Sequence, residues 1–173
     1  SIKISGYYSR LNNYITGNIN ASYSAMTIGA KGVKSFVNIP NAAILGAEAS
    51  AVVKATNNLD VISTLRYSYA RDNEQQPLPL IAPLKNISSI RYHAAAFWVQ
   101  LESEAATVQN RISIKTGEDA TPGYALLHVR TGYNFNINRN SVELQVGVDN
   151  VLDKNYYEHL DWGNIARPGR NIY

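Results

Sequence analysis

Alternation of apolar and polar side chains, repeated in segment after segment, is the feature that most constrains this chain. Over residues 141–149, Val142, Leu144, Val146 and Val148 fall on one side, and Ser141, Glu143, Gln145, Gly147 and Asp149 on the other. A period of two places successive side chains on opposite faces of an extended strand, and no helical stripe of comparable length competes with it. In residues 125–135, Ala125, Leu127, Val129, Thr131, Tyr133 and Phe135 oppose Leu126, His128, Arg130, Gly132 and Asn134. Residues 97–105 set Phe97, Val99, Leu101, Ser103 and Ala105 against Trp98, Gln100, Glu102 and Glu104; residues 60–69 set Val61, Ser63, Leu65, Tyr67 and Tyr69 against Asp60, Ile62, Thr64, Arg66 and Ser68. Weaker alternation at 2–9 and 43–54, with less regular stretches at 86–92 and 164–173, brings the count to about eight strands.

Several of these runs reach about nine to eleven residues, longer than ordinary soluble strands and matched to a tilted strand crossing about 30 Å of hydrocarbon. The connections sort into two kinds. Tight turns are expected at 56–59, 93–96 and 136–140, and long polar loops at 10–41, 71–85, 109–123 and 150–163. Short turns at one end and long loops at the other are the habit of outer-membrane barrels, periplasmic and extracellular respectively. Tyr8, Tyr67, Tyr69, Phe97, Tyr124, Tyr133 and Phe135 stand at or near strand ends, where an interfacial girdle would put them. The polar side carries Lys3, Glu48, Lys54, Asp60, Arg66, Glu102, Glu104, His128, Arg130 and Glu143. A dry core would not tolerate so many ions, so these groups need water or one another. A hydrated lumen satisfies that requirement; a half-exposed soluble sheet satisfies it too.

Composition closes other doors. The 173 residues, 45% hydrophobic and 17% charged, correspond to one to one and a half domains and exclude a disordered or collagen-like chain. The absence of Cys excludes disulfides and thiolate metal sites, and the +3 net charge is scattered rather than striped, so no nucleic-acid partner is expected. No apolar run approaches a membrane-spanning helix. Phosphate-binding, dinucleotide, zinc-protease, hydrolase-elbow and calcium-loop motifs are missing. His93, His128 and His159 are separated along the chain, and Glu102 with Glu104 at i, i+2 reads as a wet wall as readily as a cation site. Neither catalysis, nor a metal, nor a cofactor is expected. The charged, aromatic-interleaved stretch from Asp149 to Trp162, including Glu158, His159 and Asp161, reads either as an ordered surface loop or as a ligand-meeting one.

One combination is more specific. Val146-Gly147-Val148-Asp149-Asn150-Val151-Leu152-Asp153-Lys154-Asn155-Tyr156-Tyr157, followed by Arg167-Pro168-Gly169-Arg170-Asn171-Ile172-Tyr173, resembles the last hairpin of TonB-dependent outer-membrane receptors. Asn38-Ile39-Pro40-Asn41-Ala42 with Gly46-Ala47-Glu48-Ala49, and Pro79-Leu80-Ile81-Ala82-Pro83-Leu84-Lys85, are similar to strand-entry segments of the same barrels. The resemblance implies an all-β fold: an antiparallel transmembrane β-barrel segment of about eight strands with short periplasmic turns and long extracellular loops. Residues 1–173 would form the C-terminal part of such a barrel, without the plug domain, the energy-coupling box or the earlier of about twenty-two strands. The family's closing strand also runs on past the position of Tyr173 to a terminal aromatic.

The resemblance further implies residence in the bacterial outer membrane and energised uptake of a metal chelate of the siderophore, haem or cobalamin class. The partners would be membrane lipid, the plug and remaining strands, the TonB system and the chelate. Arg66, Glu102, Glu104, His128, Arg130 and Glu143 are then candidates for plug contact in the lumen, and His159, Asp161 and Trp162 for ligand capture in an extracellular loop. Two alternatives stay open: a self-contained eight-stranded outer-membrane barrel, anchor or small enzyme, whose last strand pairs with its first; and a soluble all-β binding module.

Overall fold

The computed structural model describes residues 1–20, 22–24, 31–138 and 140–173. Eight strands form one antiparallel sheet in sequence order: β1 (Ile2–Asn20), β2 (Val33–Thr56), β3 (Leu59–Asp72), β4 (Lys85–His93), β5 (Phe97–Ala106), β6 (Tyr124–Ile137), β7 (Asn140–Asp149) and β8 (Asn171–Ile172). Tight connections join β2 to β3, β4 to β5 and β6 to β7 at one end of the sheet; the long connections lie at the other. The turn at Asn57 and Asn58 is pinned across strands, since the Asn58 side chain donates to the His93 carbonyl at 2.7 Å and the His93 N–H to the Asn58 carbonyl at 2.8 Å.

Register turns the local alternation into two continuous faces. Directly paired residues share a side of an antiparallel sheet. Val53, Val61, Ile90, Leu101, Val129, Val148 and Ile172 therefore form one unbroken aliphatic row across β2 to β8. Towards the turns this face carries Tyr92, Phe97, Tyr133 and Phe135, and towards the loops Tyr8, Tyr67 and Tyr69. Among the described residues no other part of the sheet covers it: Leu144 is 62% and Val146 49% exposed. The opposite face holds every charge assigned to the polar side. Sequential strands and alternating faces thus fall where the sequence puts them.

Four details differ from the sequence reading. The stretch 10–41 is not mainly loop, because β1 and β2 stay paired from Leu11 with Ala42 out to Asn20 with Val33. That hairpin extension carries apolar residues, but adjacent ones such as Tyr14 and Ile15 or Phe36 and Val37 break the period of two, so the alternation is lost although pairing continues on both sides of an interruption at Asn13 and Pro40. Of residues 164–173, only Asn171–Ile172 is strand, preceded by a 3-10 turn at Trp162–Asn164 and by Pro168, which has no N–H to donate to a ladder. Tyr124 points to the charged face, where its hydroxyl donates to Glu104, rather than joining the aromatic girdle. Finally, among the described residues β8 does not pair with β1, so the closed eight-stranded alternative is not what forms: the sheet is open.

Three glycines on the charged face each accept a ring from the neighbouring strand. A Cβ on Gly46 would lie 2.4 Å from Tyr7, one on Gly132 2.5 Å from Trp98, and one on Gly147 2.5 Å from Tyr173. Each is a cross-strand partner of its aromatic residue, by ladder pairing for the first two and by reciprocal backbone hydrogen bonds for the third. The bare backbone offers a flat bed for the ring, and the ring shields backbone that glycine would leave exposed.

Candidate functional site: the charged wall and the loop cluster

The charged face resolves into small networks rather than isolated ions. In the first, Arg130 bridges Glu102 at 3.1 Å and Asp149 at 2.9 Å and donates from Nε to the Tyr173 hydroxyl at 3.0 Å. His128 Nδ1 lies 3.1 Å from the same Asp149 oxygen, and Gln100 donates to Glu102. In the second, Lys85 sits between Glu104 at 2.7 Å and Glu158 at 3.2 Å, while the Tyr124 hydroxyl donates to Glu104 at 2.9 Å. Arg167 extends that chain from Glu158 to Asp161, where Nη2 donates at 2.7 Å. Two further pairs stand apart: Arg66 with Glu48 at 3.2 Å, and Trp98 donating to Glu143 at 2.7 Å under the guanidinium of Arg91.

Of the six residues singled out for plug contact, Glu102, His128 and Arg130 belong to one network, Glu104 to another, and Arg66 and Glu143 to separate pairs. Their availability differs. The Arg66 side chain is 72% exposed beside a hollow of about 450 Å³ that it lines with Lys3, Glu48, Thr64 and Lys85. Glu102 and Arg130 are engaged with each other, and Glu104 with Lys85 and Tyr124. His128 is buried, and its Nε2 has no hydrogen-bond partner among the described residues. Of their partners, Asp149 and Glu158 belong to the stretch read as a surface or ligand-meeting loop, and Lys85 and Tyr173 to segments of the resemblance; none of the four was expected in a wall network. They meet the others through strand register and through a loop that folds back, neither of which leaves a local signal.

The loops form a second cluster centred on Glu118. Its carboxylate accepts from the Leu80 N–H at 2.7 Å and the Ser113 N–H at 2.8 Å and lies 3.0 Å from His159 Nε2. His159 Nδ1 lies 2.9 Å from the Thr121 hydroxyl, and only 1% of the side chain is exposed. The imidazole therefore ties the 150–170 loop to the 107–123 loop instead of presenting itself at the surface. Gln109, fully buried, donates to the Ile81 carbonyl at 2.6 Å. Lys31 donates to the Gly117 carbonyl at 3.2 Å and pairs with Asp119, and the Ile19 side chain lies where a Gly117 Cβ would be. The β1–β2 hairpin, the β3–β4 loop and the β7–β8 loop all lean on the β5–β6 loop. Asp161 is held by Arg167; Trp162 lies in the short 3-10 turn, and its side chain is outside the described residues.

Titration follows these contacts. Burial pushes the Tyr156 phenol up, and the charges of Glu104 and Glu158 add to it. Burial would lower the Arg167 guanidinium, but its hydrogen bond to Asp161 and the nearby carboxylates hold it above its ordinary value. The hydrogen bond and charge of Lys115 keep Glu74 below the usual carboxylate range. None of these groups is paired as nucleophile and base, and the described residues contain no cluster of metal ligands.

The C-terminal motif has a physical account. Asn150, at φ 51°, donates to the Lys154 carbonyl and accepts the Lys154 N–H, both at 2.8 Å, closing a turn that stops β7. Asp153 accepts the Arg170 N–H at 2.8 Å, and Arg170 Nε donates to the Val151 carbonyl at 2.9 Å. The two halves of the motif are thus one clasp, which brings the chain back to pair with β7.

The comparisons with known proteins agree with this architecture. The chain is similar to the copper transporter OprC, at 25% identity and a TM-score of 0.85, over 99% of this chain and 27% of that one. It shares its fold with the ferric enterobactin receptor PfeA from Pseudomonas aeruginosa, at 17% identity and a TM-score of 0.69, over 99% and 28% of the two chains. The siderophore receptor PirA from Acinetobacter baumannii gives the same figures: 17%, 0.69, 99% and 28%. The chain thus spans about a quarter of the length of these solved structures. Among curated protein sequences none matches it. The family model described as TonB dependent receptor-like, beta-barrel, matches residues 1–151, and the chain belongs to that family of receptors, which are not enzymes.

Proposed function

We propose that this chain is the C-terminal part of the barrel wall of an outer-membrane receptor that takes up a metal chelate with energy supplied through TonB. The observation that carries the reading is the two-faced sheet. An uncovered aliphatic row with aromatic residues towards both ends suits lipid, and a face of paired ions suits a water-filled bore. The remaining wall, the plug, the TonB system and the chelate would be the partners, and the work would be binding and gating rather than bond-making.

Within this reading the lumen set Arg66, Glu102, Glu104, His128, Arg130 and Glu143 contacts the plug, with unequal parts. Arg66 and Glu48 offer accessible charge. His128 offers a buried Nε2 lacking a partner. Glu102, Glu104, Arg130 and Glu143 mainly hold the wall in shape. At the mouth, Asp161 and Trp162 lie on the capture loop, and His159 is a positioning residue that fixes that loop against its neighbour.

The siderophore, haem or cobalamin class is favoured by the expectation carried from the family. A copper cargo is the second reading, favoured by the 25% identity with a protein described as a copper transporter. Uptake of radiolabelled ferric siderophore, haem, cobalamin and copper by cells carrying or lacking the native receptor separates the two. Accumulation that needs both the receptor and TonB identifies the cargo. Uptake independent of TonB overturns the proposal. Charge reversal at Arg66 should weaken plug retention, and unchanged retention and uptake would remove the lumen set from the mechanism.

A further inference from the structure

Three arginines stand on the wrong face of this sheet for a lumen. Arg10 pairs with Ala43, and Ala43 with Arg71, so the two guanidinium-bearing residues flank a small side chain on the aliphatic side. Immediately below them, two residues nearer the turns, lies the row Tyr8, Leu45 and Tyr69. Strand spacing puts Arg10 and Arg71 about 10 Å apart at the backbone and about 7 Å beyond the tyrosines. Long side chains can converge on one anion from that distance.

The third comes from the β5–β6 loop. Arg111 donates to the Tyr67 hydroxyl at 2.8 Å, and its guanidinium lies 5.3 Å from the centre of the Tyr67 ring and 5.1 Å from that of Tyr69. The two tyrosines hold a cation at the level where the aromatic band ends, close to Arg71, which follows Tyr69 on the same face. Arg71 itself is tethered through Nη1 by the Gln75 side chain.

Among the described residues no carboxylate pairs with Arg10, Arg71 or Arg111. The carboxylates of the adjoining loops are engaged elsewhere: Glu74 with Lys115, Asp72 with the backbone N–H groups of Glu74 and Gln76, Glu118 with His159, and Asp119 with Lys31. Uncompensated arginines just outside a tyrosine row match the chemistry of a lipid surface. Tyrosine rings suit the boundary of hydrocarbon and headgroup, and guanidinium forks suit phosphate oxygens lying one step further out.

We infer that Arg10, Arg71 and Arg111 form a docking site on the outer surface of the barrel for a phosphorylated glycolipid of the leaflet at the loop end, held by its phosphate groups. The inference rests on the outer-membrane reading above. The site lies on the lipid side of the wall, separate from the lumen charges and from the mouth, and would anchor the β5–β6 loop, on which the other loops lean, to the membrane surface.

The test uses the native receptor extracted from membranes in mild detergent, with hexa-acylated bis-phosphorylated lipid A as the probe and native mass spectrometry as the readout. Each basic residue beside an anionic lipid surface is worth roughly fivefold in affinity, so Arg10→Gln, Arg71→Gln and Arg111→Gln together should weaken retention of the probe about a hundredfold. Enzymatically dephosphorylated lipid A should bind the unaltered receptor as weakly as the probe binds the triple variant, and millimolar inorganic phosphate should not displace the probe. Lys3→Gln on the charged face should leave retention unchanged. Should the triple variant fail to assemble, Arg71→Gln alone and Tyr67→Phe, which frees Arg111, carry the test with smaller losses. Equal retention by variant and unaltered receptor, equal binding of dephosphorylated lipid, or displacement by free phosphate overturns the inference. Fractionation of the same cells reports separately on the underlying reading: a receptor recovered from the outer membrane that shows no phosphate-dependent retention refutes only the lipid site, whereas recovery elsewhere refutes the outer-membrane assignment itself.

Discussion

The two faces of this sheet are built from the same strands, often from adjacent residues, yet obey opposite rules. Leu101 on one side of β5 is nearly half exposed with no polar contact, while its neighbour Glu102 bonds Arg130 and Gln100. A soluble sandwich would hide the first residue and expose the second. The inversion fits the proposed membrane wall, in which the medium decides which face is the inside. In the proposed barrel wall, hydrocarbon would tolerate the aliphatic row because the row offers nothing to hydrogen-bond, and the ions opposite would remain because water and each other are both at hand.

Substitution on the aliphatic face should break the contrast most. Leu101→Arg places a charge in the row from Val53 to Ile172 and is expected to cost about 2–4 kcal/mol of folding stability in bilayers. Gln100→Arg, one residue away on the charged face, should cost far less. Denaturant titration of the native receptor in lipid vesicles checks both, and equal costs would abolish the distinction between the faces. Next in size is the packing unique to the charged face. Gly132→Val drives a branched side chain into the Trp98 ring and should cost about 1–3 kcal/mol, largely recovered by adding Trp98→Ala.

A comparable but local effect, about 1–3 kcal/mol, is expected from His159→Ala, which leaves Glu118 and Thr121 without a shared partner. Hydrogen exchange should accelerate in the 107–123 and 150–170 loops and not in the strands. Smallest is the acid response of the exposed Glu74–Lys115 tie. Glu74 is held below its ordinary range, so its contribution is complete above that range and fades as the pH falls through the lowered value. Exchange at residues near Lys115 should rise only on the acid side, and Glu74→Gln should remove the pH dependence.

Legibility in the sequence divides along the same line. Alternation is local, so β3, β5, β6 and β7 and their facing can be read from Val61, Leu101, Val129 and Val142 alone. It fails where apolar residues lose the period of two: the extension of β1 and β2, with Tyr14 beside Ile15 and Phe36 beside Val37 among Asn12, Asn18, Lys34 and Asn38, is held by backbone pairing that no side-chain pattern announces. The charged residues were visible, but their grouping was not. Lys85 finds Glu158 across 73 positions of sequence, and His159 finds Glu118 across 41. Long-range closure of this kind is fixed by register and loop return, not by spacing.

A pattern with a period of two cannot by itself set the phase of a hairpin, because sliding one strand by two residues restores every side to its proper medium. At β1–β2, β5–β6 and β7–β8 the three ring-on-glycine contacts remove that ambiguity. A slide by two would bring Tyr7 against Ile44 or Glu48, Trp98 against Arg130 or Asn134, and Tyr173 against Gln145 or Asp149, each with a side chain where the ring must lie. The missing Cβ atoms therefore act as index marks: during insertion they let a strand seat at one offset only, which keeps a wall with otherwise interchangeable steps from assembling one notch out of place.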